Sequence, residues 1–184
     1  MKKIVLIVAA LLIVTGVDAE AQERWMMGAA GSLPLGEYAP VFCVGVEGSF
    51  YALKSGPFRF GPGVGLLLGE YKYSNPRFSD ARLKMPIYGR GEYEWNLGMV
   101  RPFVLLDVGG MITLAPANVG KKEKIGEDFA NYRPSFFFTP SVGIDVGRHF
   151  FVAAGVLCQQ LRYRNDLAPS RLSASASLKL GVRF

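Results

Sequence analysis

Arg171-Leu172-Ser173-Ala174-Ser175-Ala176-Ser177-Leu178-Lys179-Leu180-Gly181-Val182-Arg183-Phe184 closes the chain, and its reading decides the fold. Leu172, Ala174, Ala176, Leu178, Leu180, Val182 and Phe184 take one set of alternate positions; Ser173, Ser175, Ser177, Lys179, Gly181 and Arg183 take the other. Successive side chains of a strand point to opposite faces, so this stretch has one apolar and one polar face. A tilted strand crosses a bilayer in about 9–11 residues, and this one is long enough. Two architectures use such a strand: a membrane barrel with its apolar face outward, and a soluble sandwich or barrel with that face inward. The remainder of the chain separates them.

The chain begins Met1-Lys2-Lys3, continues in an apolar run from Ile4 to Val14 and reaches Ala19-Glu20-Ala21. A basic start, an apolar stretch and small residues around a cut site are the pattern of an export leader, so residues 1–21 are expected to be a cleaved signal peptide and 22–184 the mature domain. A helix needs about 20 apolar residues to cross the hydrocarbon core, and neither this run nor any later one supplies them. Yet 50% of the residues are hydrophobic. Apolar residues without an apolar segment must be spread in alternation, as strands spread them. The 22 Gly, 11 Pro and 13 Phe agree, since they punctuate strands and turns and would disrupt helices. The formal charge of +6 comes from cations scattered over segment ends and connections, which argues against nucleic acid and suits a phosphate-rich lipid surface.

Eight alternating segments can be marked. The first covers 24–32. The second, 41–53, sets Phe42, Val44, Val46 and Phe50 against Cys43, Gly45, Glu47, Ser49 and Tyr51, and Lys54-Ser55-Gly56 is read as the turn that follows. The third, 57–73, opposes Phe58, Phe60, Val64, Leu66 and Leu68 to Arg59, Gly61, Gly63, Gly65 and Gly69. The fourth opposes Met85, Ile87, Tyr93 and Trp95 to Tyr88, Arg90, Glu92 and Glu94, and turns at Asn96-Leu97-Gly98. In the fifth, 100–113, Val104, Leu106, Val108 and Ile112 oppose Arg101, Phe103, Asp107 and Met111. The sixth, 134–146, sets Phe136, Phe138, Val142, Ile144 and Val146 against Ser135, Thr139, Ser141, Gly143 and Asp145, with a turn at Gly147-Arg148-His149. The seventh, 150–163, reads best with Leu157, Leu161 and Tyr163 outward and Gln160 and Arg162 inward.

Connections after the second, fourth and sixth segments are short; those after the others, at 33–40, 74–83, 114–133 and 164–170, are longer. Outer-membrane barrels sort tight periplasmic turns from extended outer loops in this way, whereas a soluble barrel has no reason to. Aromatic residues collect at the segment ends: Trp25, Phe58, Trp95, Phe151 and Phe184 on the short-turn side, Tyr71, Tyr73 and Tyr163 on the other, as two interfacial girdles. The expected fold is an all-β, eight-stranded antiparallel up-and-down transmembrane barrel.

On this strand plan and the terminal Phe184, residues 22–184 resemble the small outer-membrane barrels of the OmpA and OmpX type, and more closely the single-domain "outer membrane protein β-barrel" family that includes PorT-like proteins. The resemblance implies that Phe184 is presented to the barrel-assembly machinery during insertion. It also implies two activities to weigh, a secretion accessory role and lipid A modification. The lipid A deacylases of this type use a His-Ser pair within one strand near the outer leaflet, a base and a nucleophile. This chain has one His, His149, in a short turn on the opposite side, so no catalytic residue is expected and the chain is read as a non-enzyme.

An eight-stranded barrel has interior room for side chains and little more. Glu47, Arg59, Arg90, Glu92, Glu94, Arg101, Asp107, Asp145, Lys179 and Arg183 all point there, and buried charges must pair, so a polar network that plugs the lumen is expected. A proton or ion track and a paired-carboxylate site at Glu92 and Glu94 are the functional alternatives. The glycines at 61, 63, 65 and 69 either make room for these side chains or leave a thin channel. Cys43 and Cys158 fall on the second and seventh segments, too far round the ring for the ~7 Å Cα approach of a disulfide, and are expected as free buried thiols. No cofactor or metal motif is present.

Lys72, Arg77, Arg82, Lys84, Arg164 and Arg171 are expected to form a basic outer rim that touches lipopolysaccharide phosphates, beside the mixed-charge loop at 120–128. The functional expectation is a monomeric outer-membrane protein, structural or adhesive through its exposed loops, with lipid and lipopolysaccharide as its surroundings. A narrow pore or secretion accessory is the second reading.

Overall fold

A computed structural model describes residues 24–35, 42–72, 79–97, 100–116, 135–147, 149–161 and 171–184. Alternation decides which way each strand faces, and nine strand pieces form one sheet that closes on itself. In chain order they are β1 (Trp25–Pro34), β2 (Phe42–Phe50), β3 (Leu53–Ser55), β4 (Phe58–Lys72), β5 (Ser79–Glu94), β6 (Val100–Pro116), β7 (Ser135–Val146), β8 (Phe150–Leu161) and β9 (Arg171–Arg183). Every neighbouring pair is antiparallel, and β1 closes the ring by pairing with β2 on one side and β9 on the other. At the seam Trp25 and Phe184 exchange backbone hydrogen bonds, Trp25 N–H to Phe184 O at 3.0 Å and Phe184 N–H to Trp25 O at 2.9 Å. A closed ring leaves no edge, the condition for strands in lipid.

β2 and β3 are two pieces of one stave, so the barrel has eight. Both pair with β4, but Ser49 opposes Gly63 while Leu53 opposes Phe60, a register shift of one residue across the bulge at Tyr51-Ala52. The bulge corrects the expected turn. Lys54 and Ser55 pair with Arg59 and Phe58, so the chain reverses at Gly56-Pro57, where Gly56 takes φ 58°. Gly147, with φ 70°, makes the turn between β7 and β8. Prolines interrupt two ladders. Partners are missing around Pro86 between β4 and β5 and around Pro140 between β7 and β8, because proline has no N–H to donate.

Outward positions are apolar on every stave: Trp25 and Leu33, Val44 and Val46, Val64 and Leu66, Ile87, Val104 and Leu106, Val142 and Ile144, Val152, and Leu178 and Leu180 are all exposed. Lumen positions carry the charges. This is the inside-out distribution of a barrel whose solvent is lipid.

β8 corrects the seventh segment. Phe151, Ala153, Leu157 and Gln159 are buried in the lumen, and Leu157 therefore faces inward, while Phe150 and Val152 are exposed. Gln160, expected inward, takes the opposite parity to Gln159. The stretch Val152-Ala153-Ala154-Gly155-Val156 suits either face, and an apolar Leu157 is at home inside because the lumen has an apolar tier. Phe151 likewise leaves the expected girdle. It is 2% exposed and meets Phe103 edge-on, centroids 6.4 Å apart. Trp25, Phe58 and Trp95 remain exposed at the short-turn rim, with Phe58, Tyr93 and Trp95 in successive edge contacts of 4.8 and 4.6 Å. Tyr73 and Tyr163 and the side chain of Tyr71 lie outside the described residues, as do residues 1–21.

Candidate functional site

The lumen fills from the short-turn end upward. Its first tier is a six-member charge cluster from β4, β5, β6, β7 and β9. Arg183 grips Glu92 with both guanidinium amines, Nη1 to Oε1 at 2.7 Å and Nη2 to Oε2 at 3.1 Å. Arg59 Nη2 lies 2.7 Å from Glu94 Oε2, and Arg59 Nη1 lies 3.4 Å from Glu92 Oε1. Asp145 stands in ion-pair contact with Arg183 Nε at 3.1 Å and with Arg101 Nη2 at 3.5 Å. Arg101 also reaches Glu94, at 3.7 Å. The Tyr51 hydroxyl donates to Glu92 Oε2 at 2.6 Å. Arg183 is 1% exposed, its guanidinium carbon 4.4 Å from the centre of the Phe103 ring.

Above it sits a four-member cluster. Arg90 forks onto Asp107 through Nε at 2.6 Å and Nη2 at 2.8 Å, and the same Nη2 reaches Glu47 at 2.7 Å. Lys179 Nζ donates to Asp107 Oδ2 at 2.6 Å and lies 3.0 Å from both oxygens of Glu47. Ser49 Oγ takes the remaining Arg90 amine at 3.1 Å. Three arginines face three carboxylates in the lower cluster; one arginine and one lysine face two in the upper, so each is neutral as a unit. All ten lumen residues marked in the sequence are thus brought together in two adjoining groups. Burial costs an ion several kcal/mol unless such partners compensate it.

Apolar side chains occupy the rest. Met26, Tyr51, Phe103, Leu105, Phe151 and Ala153 pack among the charges. Ala30, Leu67, Tyr88, Met111, Phe137 and Leu157 form a septum beyond them, toward the long connections. The Tyr88 ring covers Gly63, so the space this glycine vacates is filled rather than left as a channel. Among the described residues a cavity of about 30 Å³, bordered by Glu47, Tyr88, Asp107, Thr139, Leu157 and Lys179, lies there. That is on the order of one water molecule. A polar tier then follows in which Gln159 Nε2 donates to Ser135 Oγ at 2.8 Å, Lys84 Nζ lies 3.4 Å from Gln159 Oε1, and Ser173 Oγ donates to the Gln159 carbonyl at 3.3 Å.

Lys84 corrects the expected rim. It is 3% exposed, inside the barrel, because it shares the even-numbered face of β5 with Tyr88, Arg90 and Glu92. Arg77, Arg164 and the side chains of Lys72, Arg82 and Arg171 lie outside the described residues, as does the loop at 120–128. Sequence reasoning missed the Lys84 and Gln159 tier. Strand parity carried the signal for Lys84, and the pairing of Gln159 with Ser173 carries it for the other. The thiols are free and on opposite faces: Cys43 is buried in the lumen, whereas Cys158 pairs with outward Phe138 and is half-buried. His149 is exposed at the short-turn rim, its Nδ1 3.2 Å from the Arg183 carbonyl oxygen.

No family model matches the chain, and no curated protein matches it. Solved structures do. The outer membrane enzyme PagL superposes with a TM-score of 0.55 at 11% identity, over 87% of this chain and 99% of that one. The outer membrane protein OprG from Pseudomonas aeruginosa superposes with a TM-score of 0.51 at 10% identity, over 87% and 94% of the two chains. At these identities the likeness is one of fold: the chain is a closed eight-stave barrel of the outer-membrane type.

Proposed function

We propose that this chain is an integral outer-membrane barrel, exported by a leader cleaved after Ala21, whose work is structural or adhesive and is done by the long connections at its outer end. The observation that carries the reading is the pairing of an apolar exterior with a side-chain-filled lumen in which the ten clustered charges cancel and a cavity of about 30 Å³ is left among the described residues. Among the described residues such an interior offers little room for a solute or a substrate, which leaves the two mouths to make contacts. Lys72, Arg77, Arg82, Arg164 and Arg171 supply cations for lipopolysaccharide phosphates at the outer mouth. Phe184 is offered to the barrel-assembly machinery, and the barrel then stands as a monomer in lipid.

Planar-bilayer recording tests the reading. The purified barrel should give no steady single-channel current, and sustained unitary currents would replace the scaffold with a narrow pore or secretion accessory. A parallel arm replaces the five rim cations with Ala: weaker lipopolysaccharide binding at unchanged unfolding supports the contact, and unchanged binding removes it. Overproduction should leave lipid A acylation as it was; a change there would make the chain an enzyme.

A further inference from the structure

The outer wall is not evenly covered. Across β4 to β7 one cross-strand row of partners runs Phe60, Gly91, Leu106, Pro140, and the next row toward the short turns runs Phe58, Tyr93, Val104, Val142. Gly91 has no side chain and Pro140 is short, so the wall dips at these two positions between the exposed side chains of Phe60, Leu106 and the second row. The result is an apolar furrow of about 620 Å³ that continues onto β8 at Ala154. Val142, at 63% exposed, stands along one side of it, and Phe60, at 47%, at its β4 end.

We infer that this furrow holds one acyl chain of a phospholipid from the periplasmic leaflet as a fixed part of the barrel's surface. The inference rests on the membrane reading above. Three observations select the occupant. The furrow starts at the short-turn rim and rises to mid-strand: Phe58 opens β4 and Tyr93 is next to last in β5, while Val142 is the eighth of the 12 residues of β7. Its flank ends in the edge-on aromatic series Phe58, Tyr93 and Trp95, the residue types that mark headgroup depth, so a chain in the furrow leaves its headgroup at the correct level. The row is perpendicular to strands that tilt about 35–45°, so it climbs obliquely from that rim into the leaflet. A second barrel would present a convex wall of fixed shape, which bridges such a furrow without filling it, whereas a flexible hydrocarbon chain follows it.

Native mass spectrometry of the full chain, released from detergent micelles doped with dioleoyl-phosphatidylethanolamine and washed to a fixed endpoint, tests the assignment. The wild type should retain one phospholipid more than A154W, and more than the milder A154L if the Trp variant does not fold. A29W, which adds the same bulk on β1 at the far side of the ring, should retain as many as the wild type. Equal retention by the wild type and a folded Ala154 variant would overturn the inference. So would a wild-type dimer that an Ala154 substitution abolishes, since the occupant would then be a second copy. The parent reading fails separately and visibly: its failure is a chain that stays folded and monomeric in buffer without detergent.

Discussion

Lys179 and Asp107 meet at 2.6 Å in the middle of the barrel, and their contact ties β9 to β6 across the lumen rather than along a ladder. Each staple of this kind is paired with another: Glu47 lies 3.0 Å from Lys179 and 2.7 Å from Arg90, and Arg90 returns to Asp107. The four charges form a closed circuit, so the consequence of removing one depends on what remains. Lys179→Met leaves two carboxylates facing a single arginine and should cost about 3–5 kcal/mol, the usual penalty for stranding a buried charge. Lys179→Met with Glu47→Gln leaves the neutral Arg90–Asp107 fork and should recover most of that loss. Urea unfolding in lipid vesicles measures both, and a double variant as unstable as the single would show that the circuit is not the unit.

Arg90 cannot be exchanged for lysine at no cost. Its guanidinium spans Asp107, Glu47 and Ser49 with separate amines, and a lysine offers one compact donor centre. Arg90→Lys should keep the charge yet destabilise the barrel by about 1–3 kcal/mol through the hydrogen bonds it forfeits. Wild-type unfolding of that variant would mean that charge alone matters at this position.

Much of this was legible from the alternation of residues, and what was not has a physical reason. Lipid demands an apolar group at every outward position, so strands with a polar face, such as the one ending in Lys179, Gly181 and Arg183, announced their direction. The lumen makes no such single demand, because paired charges and apolar groups both fill it. Leu157 and Phe151 were therefore misread from their apolarity, and β8, rich in Ala and Val, offered nothing to correct the error. Lys84 was misread for the complementary reason: a cation near a segment end suits a rim, but its parity with Arg90 sends it inside. The partners within the lumen are set by how far each stave is staggered around the ring, a property no one strand displays. Nothing local in Asp107 names Lys179, which lies three staves away.

The corrected direction of β8 has a chemical consequence. Cys158 lies on the lipid face and Cys43 inside the lumen, so the two thiols should differ in access. In the folded protein a membrane-soluble maleimide should modify Cys158 first, and Cys43 should react only after denaturation. Peptide mass mapping of the labelled sites reads this directly. Modification of Cys43 ahead of Cys158 in the folded barrel would return β8 to its other register.

The exterior makes the sharper demand on single residues. Leu178 is half exposed on the outward face of β9, near the middle of the strand, beside the lumen-facing Lys179. Leu178→Arg places a guanidinium in hydrocarbon and should cost about 2–4 kcal/mol at midplane depth, falling toward 0–1 near either rim. Phe150→Arg, at the short-turn start of β8, samples that rim on another exposed outward side chain and should cost far less. The contrast matters because it depends on depth, which a soluble barrel does not have. Unfolding free energies of the two variants in vesicles should differ by at least 1 kcal/mol in that order, and equal penalties would mean that the apolar wall does not face a bilayer.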